Sequence, residues 1–442
     1  MKILKLFLLS LLSLTSVSGI LSARENEYSL KEFVNIALER NFSIRIMSNE
    51  EVIAENNYSL GNAGLLPTLD LRSSFSGNLN NSDQTFIDES SASLRSIHNT
   101  NAFGGLQANW LIFEGMRGHI RYKQLGELKE IAQLNTRISV ENMIARLASE
   151  YYFYIQQKRL FSNLQYAVDL SRERVRIEQE HFLLGSGSKV QLLQAQVNLN
   201  ADSSRLERQH EVLRASQIRL SEVIAEQDLS AVNVPVDTTI VVNPNLTYDE
   251  LLSEAIQWNV SILAAQKQVQ LSEYNLDIAR SRHYPYVNLN TGYGYNYNTY
   301  QSGTLTNQHS WGMNYGITLG WNIYDGGNVR RQKANAKIEI ENRVLGLEKT
   351  IQEVTADLIT IYNAYTNNLR LLELETQNLD VARENLDIAF ERYRLGALSG
   401  FELREVQKNL LEAEERMLSI QYQAKMAEIS LMQIAGNIME CK

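Results

Sequence analysis

Residues that commonly carry catalysis or bind metal ions are few and widely separated in this chain of 442 residues. Cys441 is the single cysteine, so the sequence offers neither an intrachain disulfide nor a cysteine-based metal cluster. The histidines lack the short spacings that place two imidazoles on one metal ion; they are His98, His119, His181, His210, His283 and His309. Phosphate-binding glycine loops and the nucleophile motif G-x-S-x-G are also absent from the sequence. The sequence therefore predicts no enzyme, no metal site and no cofactor.

The charged residues indicate solvated helix faces. The formal net charge is −9, and a negatively charged chain is a poor partner for the phosphates of a nucleic acid. Most Asp and Glu residues lie singly within long predicted helices, where an exposed face is the simplest explanation. The charge pattern therefore excludes a nucleic-acid-binding function and does not mark a catalytic pair.

The most informative pattern is a strict alternation in two segments between residues 286 and 327. Apolar and aromatic residues alternate with Asn, Gly and Thr, and successive side chains of a strand point to opposite faces. Strands of about ten residues with one aromatic face and one small, polar face are typical of a transmembrane β-barrel wall. A half-buried soluble hairpin is the alternative. The barrel interpretation predicts these lipid-facing strand residues: Leu289, Tyr293, Tyr295, Ile317, Leu319, Trp321 and, in an earlier strand, Trp110.

The first 23 residues are typical of a secretory signal peptide. Lys2 and Lys5 precede a short apolar run at residues 6–14, and small residues follow up to Gly19 and Ala23, the two candidate cleavage positions. The apolar run is too short to remain as a spanning helix. No later stretch approaches ~18 uninterrupted apolar residues, so no membrane-spanning helix is predicted.

A duplicated unit organises the rest of the chain. Residues 29–44 align with 247–262 at an offset of 218, and Trp110 aligns with Trp321 at an offset of 211. The difference places seven extra residues in the first hairpin, within a predicted loop at about residues 80–98. Internal self-similarity of this kind indicates structural repeats. The predicted divisions are a signal peptide at 1–23, a first repeat at 24–230, a linker at 231–246 and a second repeat at 247–442.

Each repeat is predicted to contain a helix, two strands, a long helix, a turn and a return helix. The first helix is predicted at about residues 30–64 with a break near Asn41, and the later helices at 118–184, 188–226, 329–395 and 399–434. Apolar residues recur at spacings of three and four in the long helices, which predicts coiled-coil packing. Each long helix would measure roughly 100 Å at 1.5 Å per residue. The two shorter helices of a repeat would stack end to end beside it.

Four strands cannot close a barrel, because about eight are needed for a closed wall. An open edge in lipid leaves backbone hydrogen-bonding groups unsatisfied. Two copies of the chain would give eight strands and three copies twelve. The Asn and Gly residues of the inner face indicate a water-filled lumen, which favours the larger ring.

The chain resembles the TolC family of outer-membrane efflux proteins along its mature length. The resemblance rests on an ordered, duplicated set of motifs: LLPTL at 65–69, HYPYV at 283–287, WLIFEG at 110–115, WNIYDGG at 321–327, FLLG at 182–185 and YRLG at 393–396. It implies a mainly α-helical homotrimer with a twelve-stranded β-barrel in the outer membrane and a coiled-coil helical tunnel in the periplasm. It also implies a periplasmic adaptor and an inner-membrane pump as partners.

The resemblance also implies roles for particular residues. Glu402, Glu405 and Tyr393 match the periplasmic constriction of the family, and Gly185 and Gly396 match turns that contact the adaptor. For the glutamates the alternative is an exposed helix face, and for the glycines simple helix C-caps.

Two residues depart from the family pattern. Leu398 stands where an arginine can anchor the closed state, and Gln191 where an aspartate can receive it. A gate in this chain is therefore expected to be held by other residues.

The resulting functional prediction is a passive exit duct for substrates delivered by a pump and its adaptor. An outer-membrane duct for type I protein secretion is the nearest alternative, because substrate choice rests mainly with the pump. A secreted coiled-coil structural protein is an alternative from another class; it accounts for the helices but leaves the duplicated strands unexplained.

Overall fold

The computed structural model describes residues 26–229 and 233–440, and the predicted signal peptide lies outside this part. The described helices are α1 (Leu30–Arg40), α2 (Phe42–Asn57), α3 (Arg117–Leu183), α4 (Lys189–Val223), α5 (Tyr248–Trp258), α6 (Val260–Ser281), α7 (Asn328–Arg394) and α8 (Gly400–Ala435). The described strands are β1 (Asn26–Tyr28), β2 (Thr68–Thr85), β3 (Ser91–Glu114), β4 (Asn233–Pro235), β5 (Tyr286–Thr299) and β6 (Asn307–Gly320). A 3₁₀ turn, Ile438–Glu440, follows α8.

The two long helices have the predicted position and length. Helices α3 and α7 contain 67 residues each and begin and end within one residue of the expected bounds. Neither contains proline, and their apolar residues follow a coiled-coil spacing that packs against neighbouring helices. The mainly helical fold class is thereby confirmed for the described residues.

The break near Asn41 is confirmed, and it divides the segment into α1 and α2; the predicted end at residue 64 is wrong, because α2 ends at Asn57. The Asn41 side-chain carbonyl accepts two backbone N–H groups of α2, and its amide donates to the Val223 carbonyl at 2.9 Å. Asn259, between α5 and α6, donates in the same way to the Ile434 carbonyl at 2.9 Å. Each break is therefore stabilised by an asparagine that binds the end of a return helix.

Strands β2, β3, β5 and β6 form one antiparallel sheet in that order. The predicted loop at residues 80–98 is wrong, because β2 and β3 continue pairing as far as Thr85 opposite Ser91. The polar residues of this region have low strand propensity, but each strand satisfies the backbone groups of the other, with one irregularity between Asn80 and Ser82. The longer first hairpin is thus an extension of its strands.

The register brings the predicted apolar positions of all four strands onto one face of the sheet. Trp110 lies opposite Leu289, and Leu289 lies opposite Ile317. Ile317 is 72 % exposed, because none of the described residues covers its side chain. Trp321 lies one residue beyond β6, and its indole N–H donates to the His283 carbonyl at 3.0 Å. Contact of this face with lipid remains a prediction.

The opposite face carries mainly small and polar side chains. Asn101 donates from its amide to the side-chain oxygen of Asn298 across β3 and β5, at 2.5 Å. Gly105 and Gly294 pair on the same face, and the ring of Phe103 lies against them. Water can form hydrogen bonds with the polar groups of such a face, whereas lipid hydrocarbon cannot.

The described residues divide into two compact units that cut across the predicted repeats. One contains Ile46–Ile138 and Val260–Glu353, and therefore the four-stranded sheet with the adjoining helix segments. The other contains the remaining helix segments and the parallel pair β1–β4. In this second unit Phe33 packs edge-to-face against Tyr151, with ring centroids 5.8 Å apart.

The predicted linker is irregular between β4 and α5. Residues 238–242, which have the composition of a strand, pair with no other strand in the structure. The segment is instead fixed by side chains of the long helices: the Tyr151 hydroxyl donates to Asp237 at 2.6 Å, and the Tyr365 hydroxyl donates to the Asn243 carbonyl. The two tyrosines hold an irregular segment against the helices.

Candidate functional site

Each long helix ends in a glycine turn of the same geometry. Gly185 and Gly396 adopt left-handed backbone angles, with φ of +76° and +73°. Ser186 N–H donates to the His181 carbonyl and Ala397 N–H to the Arg392 carbonyl, which are the long hydrogen bonds of a Schellman motif. The C-cap interpretation of both glycines is therefore correct, and a further role in adaptor contact stays a prediction.

The return helices begin with matching capping boxes. Ser399 caps α8, and the Glu402 carboxylate accepts from the Ser399 N–H at 3.0 Å and from its hydroxyl at 2.8 Å. Gln191 forms the equivalent bond to Ser188 at the start of α4. The hydrogen bonds from the Ser399 backbone and side chain lower the pKa of Glu402, so its carboxylate stays charged at neutral pH.

The structure places the three predicted constriction residues in different environments. Glu402 and Glu405 are exposed on α8, on either side of the buried Leu403. Tyr393 is buried, and its hydroxyl donates to Glu178 Oε1 of α3 at 2.7 Å. The two glutamates can therefore face an aqueous passage, whereas Tyr393 acts within the helix packing. Burial, together with the bond to Glu178, raises the pKa of the Tyr393 hydroxyl.

A buried arginine extends the contact between α3 and α8. Arg174 donates to the Gly400 carbonyl at 2.9 Å and to the Gln407 side-chain oxygen at 3.4 Å. Burial lowers the pKa of Arg174, yet a guanidinium group stays protonated under all ordinary conditions. The first residue of α8 is thus bound to α3 by a charged donor.

A second buried charge lies on the next helix, α4. Asp202 of α4 has a side chain only 1 % exposed, and Arg404 of α8 donates to both its oxygens, at 2.6 and 2.8 Å. The Ser171 hydroxyl of α3 adds a third bond, at 2.6 Å. A bidentate arginine–carboxylate pair in a dry environment fixes geometry strongly. We refer to Arg174, Glu178, Asp202, Tyr393 and Arg404 together as the polar cluster.

The family resemblance implied that Tyr393 lies near the gate, whereas the other members of the polar cluster were not predicted. The sequence spacing could have shown that these residues are buried, because Arg174 and Glu178 continue the stripe of buried residues that includes Leu170 and Ile177. Asp202 follows the buried Ala195 by seven residues, a coiled-coil period. A charged residue on the buried stripe of a coiled coil indicates a buried partner rather than a solvated face.

The two departures from the family pattern also have clear positions. Gln191 is occupied by the capping box of α4. Leu398 is partly buried and packs with the apolar cluster of Leu386, Tyr393 and Leu403. Neither residue takes part in the hydrogen bonds of the polar cluster described above.

The described residues offer neither a metal site nor a membrane-spanning helix. Within residues 26–229 and 233–440, no group of three or more His, Cys, Asp or Glu side chains is arranged to hold a metal ion. In the same part of the chain, no helix combines the length and the apolar character needed to cross a membrane.

Long paired helices joined to a sheet with one bare apolar face define an outer-membrane channel subunit. The chain belongs to the outer membrane efflux protein family, whose profile matches residues 33–226 and 251–437. The resemblance to the TolC family inferred from the motifs is confirmed.

Curated relatives and solved structures agree with this assignment. The chain is 21 % identical over 371 residues to the pyoverdine export outer membrane protein OpmQ of Pseudomonas aeruginosa, covering 82 % of this chain and 73 % of the relative. It is 21 % identical over 455 residues to the cation efflux system protein CusC of Escherichia coli O157:H7, covering 95 % and 91 %. The CmeC outer membrane channel of Campylobacter jejuni superposes with a TM-score of 0.76 at 16 % identity, covering 92 % of this chain and 86 % of that one.

The family assignment fixes the general activity and its location. The protein is an outer-membrane efflux channel, a passive exit duct of the tripartite efflux class rather than an enzyme. The secreted structural protein considered from the sequence is therefore set aside.

Proposed function

We propose that three copies of this chain assemble into a closed twelve-stranded barrel that continues into a helical tunnel. The observation that supports this most directly is the sheet: among the described residues, its edge strands β2 and β6 have no strand partner on their outer sides, and its apolar face is largely exposed. Free edges in lipid are costly, and joining β6 of one copy to β2 of the next removes them. Three copies leave a lumen wide enough for the asparagine-lined face to hold water.

The proposed partners are a periplasmic adaptor and an inner-membrane pump. The glycine turns would form the docking end, since Leu184 and Leu395 next to them are 80 % and 82 % exposed. Exposed leucines at a rigid turn suit a partner with a complementary apolar groove. The names of OpmQ and CusC refer to pyoverdine and to cations respectively, so relatives of this chain serve different cargoes.

The proposed constriction is a ring of glutamates at the start of α8. Three copies of Glu402 and Glu405 would bring up to six carboxylates together, and both residues are exposed in the single chain. Such a ring concentrates cations, and low-dielectric walls strengthen the effect. The polar cluster supports this role, because it fixes the start of α8 against α3 and α4.

The ring predicts that a multivalent cation blocks the channel from the periplasmic side. Replacing Glu402→Gln and Glu405→Gln together is expected to weaken the block about tenfold or more, because the ring loses its charge. Folding should be preserved, since Gln191 shows that glutamine completes the same capping box. The measurement is single-channel current in planar bilayers with a trivalent cation titrated on the periplasmic side.

A matched control uses Glu412→Gln with Glu415→Gln, which have the same spacing ten residues further along α8. The trivalent cation should block this control as strongly as it blocks the unmodified protein. Equal block in all three proteins would place Glu402 and Glu405 outside the passage, on an ordinary solvated face.

A further inference from the structure

An open groove lies between α6 and α7, near the start of β5 and the end of β6. Its cavity volume is about 530 Å³, and its walls carry four cationic side chains, Arg280, Arg330, Lys333 and Lys337. Its apolar lining includes Leu276 and Tyr284. We call this feature the basic groove. Both strands and both helix segments belong to one compact unit of one chain.

The cations of the basic groove are mostly not neutralised. Arg280 pairs with Asp277 at 2.9 Å, and both side chains remain about half exposed. Among the described residues, no carboxylate forms an ion pair with Arg330, Lys333 or Lys337, and Arg330 and Lys337 are exposed. Three unneutralised cations around one apolar recess attract an anion that also carries an apolar part.

Tyrosines fill part of the corresponding place in the first half of the chain, where a smaller cavity of about 100 Å³ remains beside His119. At the sequence offsets of 218 and 211, Leu276 corresponds to Tyr58, Lys333 to Tyr122 and Lys337 to Gly126. Tyr58 and Tyr122 stack with ring centroids 4.5 Å apart, and a Cβ at Gly126 would lie 3.4 Å from the Tyr58 ring. Here Tyr58 follows the end of α2, whereas α6 continues to Ser281. Two stacked rings therefore occupy one site, and the other is open and basic.

The position of the basic groove identifies the kind of anion. His283 borders the groove, and its carbonyl accepts from the indole of Trp321, which continues the alternation of the apolar face of β6. Trp110, on the apolar face of β3, donates in the same way to the Leu65 carbonyl, the counterpart of His283. Tryptophans of this kind mark the boundary between hydrocarbon and headgroups. In the proposed outer-membrane barrel, on which this inference rests, the groove opens at the level of the lipid phosphates of the periplasmic leaflet.

We propose that the basic groove binds the headgroup of an anionic phospholipid of the periplasmic leaflet. Arg330, Lys333 and Lys337 surround the phosphate, while Leu276 and Tyr284 contact the carbons next to it. Basic pockets beside membrane-spanning segments are suited to acidic headgroups for this reason. The first half of each chain holds such a headgroup less well at the matching position, because its tyrosines fill part of the space and the remaining cavity is only about 100 Å³.

The test compares lipid retention by the purified, assembled protein. Reconstitution in mixed phosphatidylglycerol and phosphatidylcholine nanodiscs, followed by native mass spectrometry, should show preferential retention of phosphatidylglycerol. Arg330→Gln, Lys333→Gln and Lys337→Gln combined should lower that preference by about tenfold or more. Lys333→Tyr, which restores the residue of the first half, should also lower it by closing the recess.

The control is Lys123→Gln, Arg343→Gln and Lys349→Gln, three exposed cations of α3 and α7 outside the basic groove. It should retain phosphatidylglycerol like the unmodified protein. The proposal is overturned if the groove variants retain it equally well, or if inorganic phosphate displaces the lipid and so identifies a site for free anions. Conductance of the same samples separates this proposal from the duct, because the groove variants should conduct normally.

Discussion

Met313→Arg is expected to prevent most of the protein from assembling in the outer membrane. Met313 lies opposite Tyr293 near the middle of the sheet, and its side chain is 66 % exposed on the apolar face. An arginine facing lipid near the bilayer midplane costs roughly 2–4 kcal/mol per chain, and three copies multiply the penalty. The measurement is the yield of detergent-stable oligomer extracted from outer membranes.

Asn314→Arg is the matched control, because the neighbouring residue of the same strand points to the opposite face. Asn314 lies opposite Gly292 on the polar face, where a new charge meets water. Its assembly should be close to that of the unmodified protein. Equal losses from both substitutions would show that the two faces of the sheet have been assigned wrongly.

Arg404→Met is expected to destabilise the helical part of the protein by about 3–5 kcal/mol per chain, because it leaves a buried carboxylate without its partner. Asp202 is 1 % exposed and depends on Arg404 for two hydrogen bonds. Thermal unfolding of the detergent-solubilised protein, followed by circular dichroism, measures the loss.

The double substitution Arg404→Met with Asp202→Asn should recover much of this stability, since the orphaned charge is gone. Lys408→Met is the control, as Lys408 is 52 % exposed and pairs loosely with Glu412 at 3.6 Å. If Arg404→Met lowers the melting temperature no more than Lys408→Met does, the buried pair makes no special contribution.

Patterns with a regular period were predictable from the sequence. The apolar spacing of three and four gave α3 and α7 to within one residue, and the period of two gave the faces of β5 and β6. Turn chemistry was equally informative, because Gly185 and Gly396 adopt the left-handed angles that a helix end requires.

Features that depend on tertiary contacts were not predictable in the same way. The polar residues near Asn80 extend β2 because a partner strand is available to pair with them. The strand propensities of the residues themselves do not show that such a partner exists. The expectation that isolated Asp and Glu residues lie on exposed helix faces was wrong for Asp202 and Glu178. Each is buried because an arginine or a tyrosine far along the chain binds it. For Glu402, the sequence suggested a constriction, and the structure adds a capping role that the short spacing to Ser399 already contained.

Three chains of this protein are proposed to form one conducting duct together. The most direct test is native mass spectrometry of protein extracted from outer membranes in mild detergent, combined with conductance in planar bilayers. We expect a single species with three times the mass of the mature chain, and stable open-channel currents from that species. A water-soluble monomer that remains monodisperse without detergent, or an oligomer that does not conduct, would contradict the claim.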